Sequence, residues 1–129
     1  MTCKDKPREA DIQQAIRLAL GLEPDLTLYR NNVGAAFHAE SKRPVQYGVG
    51  GTGGADLLGW LTMNVELYGH MMCIARIVAL EVKRPGGRVR PEQVDFINNV
   101  RAAGGFAAIV HSVEEARAAI ERARRGECE

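Results

Sequence analysis

Two apolar runs constrain this chain most: Asp56 to Thr62 and Met72 to Lys83, joined by a polar link around Tyr68 and Gly69. Their length and composition suit strands and the link suits a turn, so the pair reads as a β-hairpin. A tip centred between Tyr68 and Gly69 sets Asp56 opposite Glu81. Alternation along the second run, which ends "IVALEVK", puts Ala79, Glu81 and Lys83 on one face and Val78, Leu80 and Val82 on the other. A one-residue slip would turn every one of these side chains over.

Two carboxylates facing each other destabilise a sheet by a few tenths to about 1 kcal/mol, so this register calls for a compensating charge. A divalent cation supplies it. Mg²⁺ takes oxygen ligands from one or two carboxylates, completes its octahedron with water and substrate phosphate, and lowers the pKa of a bound water. Lys83, on the same face, is placed to position that water or to neutralise charge growing on a phosphoryl oxygen. An isolated Glu-x-Lys is more often an ordinary strand-end ion pair. The facing Asp56 is what moves the reading towards a site.

Just before Asp56 the chain runs "YGVGGTGGAD", in which Gly48, Gly50 and Gly53 satisfy the G-x-G-x-x-G spacing of dinucleotide-binding loops. The downstream context is wrong for such a loop, because a short apolar run and not a helix follows, and no Gly-Lys-Ser/Thr is present for a P-loop. The glycines are read as a permissive approach that brings the chain, and a substrate backbone, close to Asp56, with no nucleotide cofactor.

Around the hairpin the elements alternate. Arg8 to Leu20 carries Ile12, Ala15, Ile16, Ala19 and Leu20 at helical spacing between Pro7 and Gly21. "LTLYR" and "AAFHAE" read as extended pieces, "NNVG" and "SKRPVQ" as turns. Arg90 to Ala103, with Pro91 in its first turn and Gly104-Gly105 as a stop, reads as a helix whose apolar face is Val94, Ile97 and Val100. "FAAIVH" is a buried strand, and Ser112 followed by Glu115 has capping-box spacing for a last helix. This order predicts a mixed α/β fold in which the strand after the crossover helix is parallel to its predecessor. His38, His70 and His111 lack ligand spacing and are read as structural; Trp60 is read as a core side chain.

The 129 residues are expected to form a single domain spanning 1–129. Seventeen Lys+Arg against sixteen Asp+Glu leave a net charge of +1, so electrostatic arguments must be local. Locally, Arg30, Lys42 and Arg43 precede the glycine run, and Arg84, Arg88 and Arg90 follow Lys83 without an intervening acid. These are candidate contacts to phosphates. Cys3, Cys73 and Cys128 show no C-x-x-C spacing and predict neither a disulfide framework nor a zinc site, which suits a reducing, intracellular, cytoplasmic setting. No membrane span or signal peptide is expected.

"GGADLLGW" followed by "ALEVKRPGGRVRPEQVDFINNVRAAGGFAAIVHSVEEA" resembles the core of the PD-(D/E)xK (restriction-endonuclease-like) nuclease superfamily. The branch it is most similar to is the virus-type replication-repair nuclease, or VRR-NUC, domain. The resemblance extends over nearly the whole chain, including "EADIQQAI" and "YRNNVGAAF", and four separated elements occur in the same order. It implies a mixed β-sheet flanked by helices, with Asp56 and Glu81 as metal ligands, the Val82 carbonyl as a third, and Lys83 as the catalytic lysine. Gln93 would line the site from the following helix, and Glu9 would match an additional acidic position touching metal-bound water. Without the resemblance, Gln93 reads as a solvated helix residue and Glu9 equally well as a helix-dipole partner. Ala55 stands where the superfamily name has proline, and Arg90-Pro91 opens the Gln93 helix where Ser or Thr is the expected cap.

The resemblance further implies an endodeoxyribonuclease dependent on Mg²⁺, with Mn²⁺ as a substitute, of bacterial or phage-like origin. Its substrate would be branched DNA and its action that of a Holliday junction resolvase working as a homodimer, since paired incision needs two sites. A monomeric flap or nick nuclease and a catalytically silent DNA-binding module are the alternatives.

Overall fold

The structure, a computed structural model, describes residues 6–129; Cys3 lies outside them, and Cys73 and Cys128 are free and exposed. In chain order it contains α1 (Glu9–Leu20), β1 (Leu26–Arg30), β2 (Gly34–Phe37), β3 (Pro44–Tyr47), a 3₁₀ turn at Gly51–Gly53, β4 (Leu57–Leu67), β5 (His70–Val82), α2 (Pro91–Ala102), β6 (Phe106–Val110) and α3 (Val113–Arg124). A four-stranded mixed sheet runs in the order β1-β4-β5-β6, and β2 and β3 form a separate two-stranded ribbon. The β5 to β6 pairing, across the α2 crossover, is parallel; the other pairings are antiparallel.

The hairpin register is the one the sequence implies. Leu57 pairs with Leu80 and Leu67 with His70, so the turn is the two residues Tyr68-Gly69. Both have positive φ, 50° and 78°, the backbone that lets a two-residue turn match the twist of its strands. Asp56 sits one residue before β4, and extending the ladder by one step faces it towards Glu81.

Both faces of the end of β5, from Val78 to Val82, are covered. Val78, Leu80 and Val82 join Ile12, Ile16, Leu20, Leu57, Leu61, Phe106, Val110 and Ile120 in the larger core, beneath α1 and α3. Burying a side chain such as Ile16, fully enclosed here, contributes roughly 1.5–3 kcal/mol. On the opposite face Ala79 packs with Ala55 and Ala107, whose small side chains admit Ile97 of α2. Ser112 caps α3, its Oγ accepting from Glu115 N at 3.1 Å.

Three local expectations are corrected. "SKRPVQ" is not all turn: the turn is shorter and Pro44–Tyr47 is β3, paired antiparallel with β2. Val94 is 41% exposed, and the face α2 turns inward is Gln93, Phe96, Ile97 and Val100, because the helix packs against alanines near the end of β5 and the polar Gln93 is drawn in there. Trp60 is not core. It alternates with Leu57, Gly59 and Leu61, which take the α1 and α3 side of the sheet, so it emerges on the face that α2 covers only in part and remains 38% exposed.

Candidate active site

The glycine run is held rather than loose. Asn31, just past β1, donates from Nδ2 to the carbonyls of Val49 at 2.7 Å and Ala55 at 3.0 Å, and its Oδ1 accepts from Val49 N at 3.0 Å. Its own backbone N–H donates to Asp56 O at 2.8 Å. One asparagine thus ties both ends of the loop to β1 and fixes the residue that carries the acid. Two glycines are required by close approach: a Cβ on Gly53 would strike the Glu92 carbonyl at the start of α2, and one on Gly54 would strike the Val49 carbonyl. Gly53 seats the loop against α2, and Gly54 lets it fold back on itself beside the Asn31 amide, packing roles that the glycine spacing does not reveal.

Asp56 then faces the end of β5, with its Oδ2 accepting from Val82 N at 2.8 Å. Glu81 is 1% exposed and Lys83 is also buried; Lys83 Nζ lies 3.5 Å from Glu81 Oε1. Gln93 completes the group from α2. Its Oε1 accepts from Arg90 N at 2.9 Å, the half of a capping box that the third helical residue supplies, and its Nε2 donates to Glu81 Oε1 at 2.5 Å. Because the cap occupies the oxygen, the amide nitrogen is the end left to meet the carboxylate.

Glu81 Oε2 is buried without a hydrogen-bond partner. Burial, and after it the Asp56 charge, push the Glu81 carboxyl up to about 7, against a pull from Lys83. Asp56 is also raised, chiefly by burial and further by the Glu9 charge, against the Val82 N–H and Lys83. Two acids that resist ionising together, one with an orphaned oxygen, make a site short of positive charge.

Above them opens a polar pocket of about 320 Å³, lined by Asp56, Gln93, Arg30, Arg90, Asn31 and Gln13 among others. Glu9 lies one helical turn before Gln13 on α1, half-buried. Arg90 is positioned by a 3.0 Å bond from Nη2 to Thr52 O. The structure therefore brings together Glu9, Asp56, Glu81, Val82, Lys83 and Gln93, with Arg30 and Arg90 at the mouth. It leaves Arg84 and Arg88 exposed on the loop between β5 and α2, and Lys42 and Arg43 exposed at the turn of the β2–β3 ribbon, all outside the pocket lining. Asn31 and Gln13 were not picked out from the sequence. Asn31 had one available signal, an asparagine at a strand end before a turn, where its amide commonly bonds to backbone; Gln13 had none.

Among the described residues no group of three or more His, Cys, Asp or Glu side chains forms a metal cage. A cation here would draw on two carboxylates and a backbone carbonyl and keep water in its remaining positions. That donor economy fits Mg²⁺ and not a structural zinc. The orphaned Glu81 oxygen and the suppressed ionisation of the pair are what such an ion would relieve.

The sequence matches the family model of the VRR-NUC domain over residues 7–114, which takes in every residue of this group. Comparison with curated proteins and with solved structures gives no significant match.

Proposed function

The chain belongs to the VRR-NUC family, a nuclease family, and we propose that it is a Mg²⁺-dependent endodeoxyribonuclease with a PD-(D/E)xK core that resolves branched DNA as a homodimer. The observation that carries this reading is the convergence of Asp56, Lys83 and Gln93 on the buried Glu81 carboxylate, whose Oε1 meets Lys83 and Gln93 and whose Oε2 is left without a partner. Asp56, Glu81 and the Val82 carbonyl would hold the ion. When bound, Mg²⁺ supplies Lewis-acid activation of a phosphodiester and of the water that attacks it.

The chain's own groups do the rest. Gln93 fixes the Glu81 carboxylate and, through the Arg90 N–H, couples its position to the start of α2. The Lys83 ammonium, held beside Glu81, orients the incoming water and offsets charge on the phosphoryl oxygens as they become more negative. Arg30 and Arg90 at the pocket mouth bind the phosphate backbone, and Arg84 and Arg88 extend that contact along the loop. The Glu9 charge on α1 acts on Asp56 and favours a cation beside it.

The test compares four-way junction, flap and linear duplex, each with Mg²⁺ and with chelator. The expected result is Mg²⁺-dependent, symmetric cutting of the junction, lost in Asp56→Asn with DNA binding retained. Cutting by Asp56→Asn at saturating Mg²⁺, or metal-independent cutting, would overturn the site. Equal cutting of duplex and junction would overturn the preference for branched DNA.

A further inference from the structure

Next to the polar pocket an apolar groove of about 550 Å³ is walled by Tyr29 of β1, Leu58 and Trp60 of β4, Ile77 of β5, and Phe96 and Val100 of α2. It exists because α2 packs over the β5 and β6 side of this face and leaves the β1 and β4 side open. The Tyr29 and Trp60 rings lie 5.9 Å apart, tilted by 49°. Tyr29 is 59% exposed, Ile77 51% and Val49, on the rim, 55%. With Trp60, their exposed portions come to roughly 400 Å², the size of the largest apolar patch on a typical monomer, which is often functional. A stable interface covers about 800 Å² per partner and is roughly 55–65% apolar, so these four side chains, with the groove between them, would form the apolar centre of such an interface and the polar surface around them its rim.

We propose that this face seats a second copy of the chain, related by a two-fold axis that brings the Tyr29–Trp60–Ile77 surface of one protomer against the same surface of the other. The proposal assigns the surface of the homodimer put forward above and rests on that reading. The charge on the groove favours self-association over nucleic acid: Arg30 is the one cation in its lining, whereas a bound strand requires several phosphate contacts, and a single stacked base would cover only a fraction of the exposed area. Apart from Arg30, which lies on the side shared with the polar pocket, the patch is uncharged, so its Tyr29, Trp60 and Ile77 side chains meet their own copies without repulsion, the requirement of an isologous contact. Arg30 and Asn31 line both the groove and the polar pocket. Seating the partner therefore also sets one rim of the pocket and backs the loop that Asn31 holds in front of Asp56.

Trp60 is the single tryptophan, so its emission reports on this face alone. Sedimentation velocity and Trp60 emission are to be followed together on dilution of the full chain. The wild type is expected to sediment as a dimer and its emission to move to longer wavelength as it dissociates. Ile77→Glu and Tyr29→Glu, each at a side chain more than half exposed in the monomer, should keep the wild-type circular dichroism and weaken association at least ~30-fold, the scale of a truncated hot spot. Tyr68→Glu, at the exposed tip of the β4–β5 hairpin, should leave the dimer intact. A wild type that is monomeric at micromolar concentration, a dimer indifferent to Ile77→Glu, or one broken by Tyr68→Glu instead would overturn the proposal. So would quenching of Trp60 by an oligonucleotide with no mass change beyond one chain plus DNA. A monomeric wild type that cuts DNA in an Asp56-dependent way would overturn this surface and leave the nuclease standing; a dimer broken by Ile77→Glu that cuts no DNA would do the reverse.

Discussion

Removing the negative charge of Glu81 should make the metal-free protein more stable while abolishing its activity. The folded state holds the Glu81 carboxyl at about 7 against an ordinary value of 4.5, because the group is buried and faces Asp56. A raised acid carries its proton further up the pH scale when folded than when unfolded. Stability is therefore unpenalised below about 4.5, falls as pH rises towards 7, and stays reduced above it. The difference between the two values sets a ceiling of roughly 3 kcal/mol at pH 8, at ~1.36 kcal/mol per pH unit. Asp56 shares in the relief, so a gain of about 1–3 kcal/mol is expected for Glu81→Gln, an increase in melting temperature of several degrees for a chain of this size. The assay is urea unfolding in chelator at pH 8 and at pH 5. The variant should gain at pH 8 and lose most of that advantage at pH 5, where wild-type Glu81 is largely protonated. Added Mg²⁺ should then stabilise the wild type more than the variant, by mass action on the native state. A variant no more stable than wild type at pH 8, or equally advantaged at both pH values, would refute the reasoning.

Asn31→Ala removes three side-chain hydrogen bonds that hold the glycine loop; it should cost about 1–3 kcal/mol and lower cleavage on the order of 100-fold through misplacement of Asp56, checked by melting and single-turnover kinetics. Gly53→Ala, whose new methyl would meet the Glu92 carbonyl, should push α2 and Gln93 off the site; crowding of this kind costs roughly 1–3 kcal/mol, and the check is unfolding alongside cleavage. Neutralising Arg84 and Arg88 together should weaken binding to unrelated DNA sequences alike and make the plot of log affinity against log salt shallower by about one unit for each phosphate no longer neutralised. Lys83→Ala should lose cleavage yet retain Mg²⁺ binding by calorimetry, since it removes a cation and no oxygen ligand.

What the sequence determined was local or periodic. Alternation along β5 separated Glu81 and Lys83 from Val78, Leu80 and Val82, and a two-residue turn at Tyr68-Gly69 fixed the register that turns Asp56 towards Glu81. Each follows from neighbours a few residues apart or from a hairpin closed by one tight turn, so no distant contact was needed to read it. What the tertiary structure decided depended on partners far along the chain. Asn31 clamps residues 18 and 24 positions away, and its amide looks like any turn asparagine until Val49 and Ala55 are beside it. Gln93 binds the Arg90 N–H at the start of its own helix and steers Glu81 at once, a double duty set by how close α2 lies to β5. Trp60 illustrates the same limit from the other side. The strand period says which face it takes, but whether that face is core or open surface depends on how much of the sheet α2 covers, and helix placement is decided by packing across the whole fold rather than by the pattern of any one segment.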